Sequence, residues 1–218
     1  MIAAETTAAF ILANTAVAAP PRVPEIRLHL ASEITPIWQA TEASLAQSNV
    51  PPPYWAFAWA GGQALARHIL DHPRLVAGRR VLDFGAGSGL VSIAAAKAGA
   101  ARVTAAEIDA VAAVAIGLNA ALNGVPVVVE TADLIGRGGE AWDTVLVGDM
   151  CYERPLAERL MAWLRALAAG GIEVLLGDPG RTYLPKSGLV ALARYTVPTS
   201  RELEDRESRE GVVFRLVP

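Results

Sequence analysis

Short apolar runs that alternate with helical stretches dominate the chain from Arg80 onward, and this alternation is the strongest constraint on its fold. The runs are VLDF (81–84), RVTAAEI (102–108), PVVVE (126–130), WDTVLVGD (142–149) and IEVLLGD (172–178). Helices are predicted between most of them, for example at about 109–123 and 155–169, which is typical of parallel βαβ units in a doubly wound α/β sheet. Nearly uninterrupted apolar strands indicate that helices cover both faces. The last two runs, YTVP (195–198) and GVVFRLV (211–217), are predicted to form an antiparallel pair at the sheet edge.

The chain before the first run shows a different pattern. It is predicted to contain a helix over 1–20 that ends at Pro20-Pro21, a strand at EIRLHL (25–30), a helix at about 37–45 that prolines 51–53 stop, and a helix over 61–72 that Pro73 closes. We therefore predict one compact unit, in which an N-terminal extension of helices and a short strand (1–53) packs on a main domain (54–218).

Composition and charge exclude several classes of function. Of the 218 residues 53% are hydrophobic, and the formal net charge is −3, so the chain lacks the positive field that recruits nucleic acid or an anionic membrane. The single cysteine, Cys151, rules out an internal disulfide and a cysteine-based zinc cluster, and it favours a reducing compartment. The Ala-rich start carries Glu5 and has no basic residue before Arg22, unlike a secretion signal. We expect a cytoplasmic protein whose oligomeric state stays open.

The turn after the first apolar run, FGAGSGL, has a spacing that discriminates between nucleotides. A dinucleotide-binding turn has the pattern G-x-G-x-x-G and points a helix N-terminus at pyrophosphate. Here the pattern is G-x-G-x-G, and Leu90 stands where the third glycine would fall. Asp83 would repel a pyrophosphate and attract a ligand that carries an amino group and a sulfonium. We therefore predict that this turn binds S-adenosylmethionine (SAM) through Asp83, Gly85, Ala86, Gly87 and Gly89.

Acids at the ends of the next two strands match other parts of this cofactor. Glu107 lies where an acid takes both ribose hydroxyls, and Ile108 is expected to pack on the adenine. Asp133, in TADL, is expected to accept a hydrogen bond from the adenine amino group, and Leu134 is assigned to the same site. Each acid could instead cap the following helix, so the prediction depends on the whole set of acids and glycines.

Five segments resemble a known enzyme family. They are VPPPYWAFAWAGGQALARHIL (50–70), VLDFGAGSG (81–89), TAAEID (104–109), TADL (131–134) and VLVGDMCYE (145–153). Together they resemble the seven-β-strand (class I) SAM-dependent methyltransferases with a D-x-x-Y motif. They are most similar to the electron transfer flavoprotein β-subunit lysine methyltransferase family, including its bacterial members. The resemblance extends from about EIRLHL to FRLV and implies a Rossmann-like, seven-stranded, mostly parallel sheet with SAM as methyl donor.

The resemblance also implies roles for individual residues. Asp149 and Tyr152 match the D-x-x-Y pair that shapes the substrate-lysine site, and Trp59 matches a tryptophan that lies against the methionine part of the cofactor. Asp149 is assigned to the cofactor site as well. Of the aromatic residues Tyr54, Trp55, Phe57 and Trp59, about half are expected to pack in the core. The implied substrate is a lysine of the electron transfer flavoprotein β-subunit, with a ribosomal stalk protein as a second candidate.

Lysine methylation makes its own demands on such a site. An ammonium has a pKa near 10.4, so a neutral amine at pH 7 costs about 4–5 kcal/mol, and a desolvated aromatic channel beside a sulfonium lowers that pKa. Asp149 would bind the ammonium, yet its charge opposes deprotonation, so we assign it positioning and proton acceptance. Tyr152 would form a wall and offer its hydroxyl as a hydrogen-bond partner. Without the resemblance, D-x-x-Y is better explained by an acid that caps the Pro155 helix and a tyrosine in the core.

Three other features have simpler explanations. His68 and His72 have the spacing of a helical metal pair, but Pro73 ends the helix and no third ligand is evident, so no metal is expected. Cys151 has no partner histidine in the sequence and is expected to be a small buried residue. RELEDRESRE (201–210) alternates in sign and is expected to be a solvated loop or helix face.

Alternative functions fit these motifs less well. A small-molecule N-methyltransferase usually needs a lid over the sheet edge, and no long insert is present. A non-catalytic SAM-binding module would not need Asp149 and Tyr152. A nicotinamide oxidoreductase is disfavoured by the loop spacing and by Asp83. The leading prediction is a SAM-dependent protein-lysine N-methyltransferase.

Overall fold

The computed structural model describes residues 4–31 and 52–217, and the helix predicted at about 37–45 lies outside them. The helices in these residues are α1 (Ala4–Asn14), α2 (Ala60–Asp71), α3 (Leu90–Lys97), α4 (Ala110–Leu122), α5 (Arg154–Ala169) and α6 (Arg201–Glu204), with 3₁₀ turns at Tyr54–Ala56 and Pro73–Leu75. The strands are β1 (Ala16–Ala18), β2 (Leu28–Leu30), β3 (Arg80–Phe84), β4 (Arg102–Ala106), β5 (Val128–Glu130), β6 (Thr144–Gly148), β7 (Glu173–Asp178), β8 (Leu189–Pro198) and β9 (Ser208–Leu216). Within 4–31 and 52–217, no helix has both the length and the apolar character that crossing a membrane requires.

Seven strands form one sheet in the order β5-β4-β3-β6-β7-β9-β8. Strands β3 to β7 run parallel to one another, while β9 lies between β7 and β8 and is antiparallel to both. This confirms the predicted Rossmann-like α/β sheet with an antiparallel edge pair. Strand β8 begins well before the predicted YTVP, directly after Gly188, whose φ of 77° turns the chain into the strand.

The central strands bury side chains on both faces of the sheet. Successive strand residues point to opposite sides, so each strand contributes to two cores. The residues that pack with α2 and α3 include Val81, Leu146 and Leu175. Those that pack with α5 include Leu82, Val145 and Leu176. This two-sided burial explains why the strands are apolar almost throughout.

The N-terminal helix is shorter than the sequence predicted. It ends at Asn14, where the side-chain amide donates to the Phe10 carbonyl at 2.8 Å and the Thr15 hydroxyl donates to the Ile11 carbonyl at 2.7 Å. The Thr15 hydroxyl thus reaches a carbonyl of the last four helical residues, which lack partners within the helix. Residues 16–18 then pair with 28–30 as a short antiparallel hairpin, so only the last three residues of EIRLHL form a strand.

Residues 4–31 lie against helix α4. Ile11 packs with Trp55 and Ala115 in one buried cluster. The backbone N–H of His29 donates to the Asn119 side-chain oxygen at 2.8 Å. The division into an extension (1–53) and a main domain (54–218) stays a prediction.

Helix α2 approaches strands β6 and β7 more closely than side chains permit. A Cβ atom at Gly61 would overlap the carbonyl oxygen of Gly177 and the Asp149 carboxylate, and a Cβ at Gly148 would lie 3.1 Å from the Cα of Gly62. The glycine pair of AWAGG therefore brings the N-terminus of α2 to the carboxyl ends of these strands.

Alanine substitutions at the two neighbouring glycines test this close approach. Gly61→Ala is expected to lower the free energy of unfolding by about 1–3 kcal/mol, because the Gly177 backbone leaves no room for a methyl group. Gly62→Ala is the matched control, since its methyl group would meet no atom within 4 Å. The helix propensity of alanine should leave that variant unchanged or up to about 1 kcal/mol more stable. Urea unfolding measures both, and equal effects of the two substitutions would contradict the packing.

Candidate active site

The carboxyl ends of β3 and β6 lie where the direction of the sheet topology reverses. Strand β3 pairs with both β4 and β6, and the chain moves outward through β4 and β5 on one side and through β7 on the other. The loops after these two strands, residues 85–89 and 149–153, therefore flank a crevice, which is where ligands bind in open α/β sheets. The predicted cofactor turn and the D-x-x-Y motif meet at this crevice.

The cofactor turn needs glycine for its backbone conformation. Gly85, Gly87 and Gly89 have φ values of 68°, 52° and 78°, a left-handed region that side chains disfavour. Space also matters at Gly85, because a Cβ atom there would overlap the Met150 side chain. The loop thus lies directly against the D-x-x-Y segment, and Gly89 begins helix α3.

Glu107 holds its carboxylate beside this loop. One oxygen accepts the Gly87 N–H and the other accepts the Asp109 N–H, each at 3.0 Å, so both oxygens can still accept a hydroxyl. Burial raises the pKa of Glu107. The neighbouring Ile108 is 75% exposed, and a flat ring laid on it would remove that apolar surface from water. The ribose and adenine contacts assigned to Glu107 and Ile108 stay predictions.

Asp83 lies deeper than the sequence suggested. It is 1% exposed, and the Ser92 hydroxyl donates to its carboxyl group at 2.6 Å. Burial raises the pKa of Asp83 to about 7, so the group is only partly ionised at neutral pH. The carboxyl group therefore ties the end of β3 to the first turn of α3. Its role as a cofactor ligand stays a prediction.

Asp133 holds the backbone turn that follows it, and residues 131–143 form no helix that it could cap. Its two carboxylate oxygens accept the Ile135 N–H at 3.0 Å and an N–H of Arg159 at 2.9 Å. These contacts lower the pKa of Asp133, with the backbone hydrogen bond the larger cause.

Two other predicted cofactor residues have buried side chains: Ala86 and Leu134 are 9% and 2% exposed. The adenine contacts assigned to Asp133 and Leu134 stay predictions.

Asp149 is buried directly after β6 in a left-handed conformation, with φ 58°. One carboxylate oxygen, Oδ2, accepts the Gly62 N–H at 2.8 Å, and the other, Oδ1, accepts two N–H groups of Arg181 at 2.9 and 2.8 Å. The acid therefore caps helix α2, not the helix near Pro155. Burial raises the pKa of Asp149 to about 6, against the lowering effect of Arg181. A strained conformation and a perturbed pKa in one buried acid are typical of functional sites.

Arg181 and Glu204 are the site residues that sequence reasoning missed. Arg181 follows β7 and donates to both oxygens of Glu204, at 3.0 and 2.9 Å. Glu204 is 3% exposed although it lies within RELEDRESRE, so the expectation of a fully solvated segment is wrong at this residue. The position of Arg181 beyond a strand's carboxyl end was a usable signal. The alternating charges gave no signal for Glu204.

The aromatic segment before α2 divides as expected. Trp55 and Phe57 are 3% and 5% exposed and pack in the core, whereas Tyr54 is 43% exposed. Trp59 donates from its indole N–H to the Tyr54 carbonyl at 2.8 Å, and its ring lies 5.5 Å from the Arg181 guanidinium carbon. Tyr152 is also 43% exposed, and its ring centre lies 5.6 Å from that of Tyr54. Arg181 thus contacts both Trp59 and Asp149. Tyr54 contacts both Trp59 and Tyr152.

The features set aside in the sequence have structural roles. Cys151 is 1% exposed, and burial raises the pKa of its thiol to about 12, which confirms a small, inert buried residue. His68 shares a hydrogen bond of 3.0 Å with the Tyr195 hydroxyl, and His72 bonds to the His68 carbonyl.

Comparisons with known proteins indicate the family and the fold of this chain. The family model described as ribosomal protein L11 methyltransferase (PrmA) matches residues 65–147. The fold is similar to that of magnesium protoporphyrin IX methyltransferase from Synechocystis PCC 6803 with bound SAH. The TM-score is 0.52 at 19% identity, over 72% of this chain and 81% of that one. At this identity the similarity shows the methyltransferase fold alone.

Two curated relatives extend the match to nearly the whole chain, and both are named electron transfer flavoprotein beta subunit lysine methyltransferase. The Xenopus laevis protein is 38% identical over 96% of this chain and 86% of its own length. The Danio rerio protein is 38% identical over 94% of this chain and 81% of its own length. The chain therefore belongs to the electron transfer flavoprotein β-subunit lysine methyltransferase family, and it is a SAM-dependent methyltransferase.

Proposed function

We propose that this protein transfers a methyl group from SAM to a lysine side chain of the electron transfer flavoprotein β-subunit. The observation that carries the proposal is the 38% identity to relatives of that name over as much as 96% of the chain. That length takes in both the cofactor turn and the segment that holds Asp149 and Tyr152. A cytoplasmic location stays a prediction.

A ribosomal stalk protein receives less support as a substrate. The match to the L11 methyltransferase model ends at residue 147. It contains the glycine loop and Glu107 but stops before Asp149 and Tyr152. The shared part is thus the cofactor half of the site, and we place the flavoprotein subunit first.

The chemistry requires an uncharged amine held in line with the methyl group. When bound, SAM would supply a methyl group on a positively charged sulfur. The lone pair of the lysine nitrogen would form a bond to the methyl carbon as the carbon–sulfur bond breaks, which leaves neutral S-adenosylhomocysteine and a positively charged methylated nitrogen. The protein mainly positions this nucleophile and keeps water away from it. Tyr54 and Tyr152, half-exposed at the mouth of the crevice, are placed to flank the lysine side chain. Their rings would remove water from the ammonium and so lower its pKa.

Asp149 is suited to orient the amine and to take up its proton. Its Oδ2 atom accepts the Gly62 N–H and has a second lone pair for an N–H of the substrate. The pKa of Asp149, about 6, is closer to the pKa of an amine than the pKa of an ordinary carboxyl group is. This smaller difference reduces the free energy needed to move the proton from the amine to Asp149. Burial raises the pKa of Tyr152 too, so its hydroxyl stays a hydrogen-bond donor.

Labelling tests the function directly. The enzyme is incubated with methyl-labelled SAM and purified electron transfer flavoprotein, and in parallel with lysate of a strain that lacks this gene. We expect label on a lysine of the β-subunit, located by mass spectrometry of its peptides. Label confined to small molecules, or to proteins other than this subunit, would refute the proposed substrate.

Asp149→Asn is expected to reduce methyl transfer about 100-fold or more, because it removes the charge that orients and deprotonates the amine. The dissociation constant for SAM should change by less than about threefold, since Glu107 and the glycine loop stay intact. The matched control is Asp143→Asn at the opposite end of β6, where the acid pairs with Arg80 on the surface. Single-turnover rates and calorimetry separate the two effects. Undiminished transfer by Asp149→Asn would remove the site assignment.

Glu107→Gln is expected to weaken SAM binding about 10- to 100-fold, since hydroxyl groups bond more strongly to a carboxylate than to an amide. Glu130→Gln serves as the control, because Glu130 ends the neighbouring strand and accepts the Ala132 N–H at 2.9 Å. Calorimetric titration with SAM measures both variants. Equal affinities for Glu107→Gln and Glu130→Gln would contradict the ribose assignment.

A further inference from the structure

Arg181 is held on three sides at the substrate half of the crevice. It donates two N–H groups to Asp149 and two to Glu204, and its guanidinium lies over the Trp59 ring. Its side chain is 19% exposed, and that of Glu204 is 1% exposed. The Nε atom of Arg209 lies 3.2 Å from Oε2 of Glu204, the same oxygen that accepts an N–H of Arg181. Forked contacts to two buried carboxylates give the guanidinium one preferred position.

The contacts of Arg181 leave Asp149 with little remaining hydrogen-bonding capacity. The Oδ1 atom already accepts two N–H groups, and Oδ2 accepts one from Gly62. A carboxylate oxygen has two lone pairs, so one site on Oδ2 is left for an incoming amine. The arginine therefore determines which oxygen of Asp149 is available and where that oxygen points.

Arg181 also changes the charge that a substrate meets. Asp149 without a cation would hold a lysine as a tight ion pair and so oppose its deprotonation. With the guanidinium in place, Asp149 and Arg181 form a neutral pair that still accepts a hydrogen bond. The other groups near this pair are the acids Asp178 and Glu204 and the cation Arg209. The Cys151 thiol stays protonated.

We propose, on the basis of the lysine methylation proposed above, that Arg181 is a positioning residue that fixes the Asp149 carboxylate and compensates its charge. Asp149 then orients the substrate amine without stabilising the ammonium form. The role belongs to a residue outside the D-x-x-Y motif, and it depends on Glu204 to hold the guanidinium in place.

The proposal predicts a shift in the pH dependence of kcat/KM. Arg181 lowers the pKa of Asp149, and its removal raises that pKa. The pKa of the bound lysine rises as well, because an uncompensated carboxylate stabilises its ammonium. Since activity needs an ionised Asp149 and a neutral amine, both changes move the acidic limb of the profile to higher pH.

Arg181→Gln is expected to move this limb upward by about one pH unit or more. The value of kcat/KM at pH 7 should fall about tenfold or more and recover as the pH rises. Arg181→Lys keeps the charge without the fork, so kcat/KM should fall while the limb stays in place. Arg67→Gln is the matched control, because Arg67 also bridges two carboxylates, Glu25 and Asp71, with a side chain 18% exposed. It should leave the profile unchanged.

A second measurement does not depend on the substrate. Titration of the Asp149 carboxyl carbon by NMR in the substrate-free enzyme should give a higher pKa in Arg181→Gln than in the wild type and in Arg67→Gln. Unchanged titration, or a rate loss of equal size at every pH, would overturn the proposal. If Arg181→Gln does not fold, the Arg181→Lys variant tests the proposal instead. A kcat/KM equal to that of the wild type in Arg181→Lys would then contradict the proposal. An inactive wild type on the flavoprotein would refute the proposed function, while the titration would still decide the role of Arg181.

Discussion

Three parts of the chain meet at the carboxylate of Asp149, and the arrangement of the site depends on how that buried charge is satisfied. The acid ends strand β6, accepts an N–H from the first turn of α2, and pairs with Arg181 from the loop after β7. Through Arg181 it is linked to Glu204 in α6. An unpaired charge in this position would cost several kcal/mol, so the fold must bring all of these partners to one point. The glycines at 61, 148 and 177 make this possible, because they let α2 approach the strand ends closely enough for the hydrogen bond to form.

The two halves of the crevice treat their acids differently. In the cofactor half, Asp83 is bonded to a hydroxyl group and Glu107 to backbone N–H groups, which donate hydrogen bonds without full positive charge. In the substrate half, Asp149 and Glu204 share a guanidinium. Acids with partners like those in the cofactor half suit a ligand that brings its own positive charge, as the proposed binding of SAM requires. An amine that must become neutral before it reacts is matched to the substrate half.

The aromatic residues lie beside the Asp149–Arg181 pair. Trp59 lies at the start of α2, with Arg181 over its ring and its indole N–H on the Tyr54 carbonyl. Tyr54 in turn lies beside Tyr152, the last residue of the D-x-x-Y motif that Asp149 begins. The position of the glycine-lined helix thus sets the distance between the acid, the cation and the rings. Small shifts of α2 would change all three together.

The sequence by itself determined the parallel sheet, the glycine turn and the strand-end acid Glu107, whereas the D-x-x-Y segment was singled out only by the resemblance to a known family. Apolar periodicity, backbone conformation and the position of an acid after a strand are local properties, and the linear order of the residues carries them. Only the tertiary structure decided that Asp83 is covered and that α1 ends at Asn14 beside a hairpin. Only the tertiary structure also showed that Arg181 and Glu204 complete the site. Arg181 lies 32 residues from Asp149 and 23 from Glu204 along the chain. Glu204 lies among the alternating charges of residues 201–210, and no neighbouring residue in the sequence indicates that its side chain is buried. A charge that the fold removes from water needs a partner, and this removal from water is a property of the packed molecule.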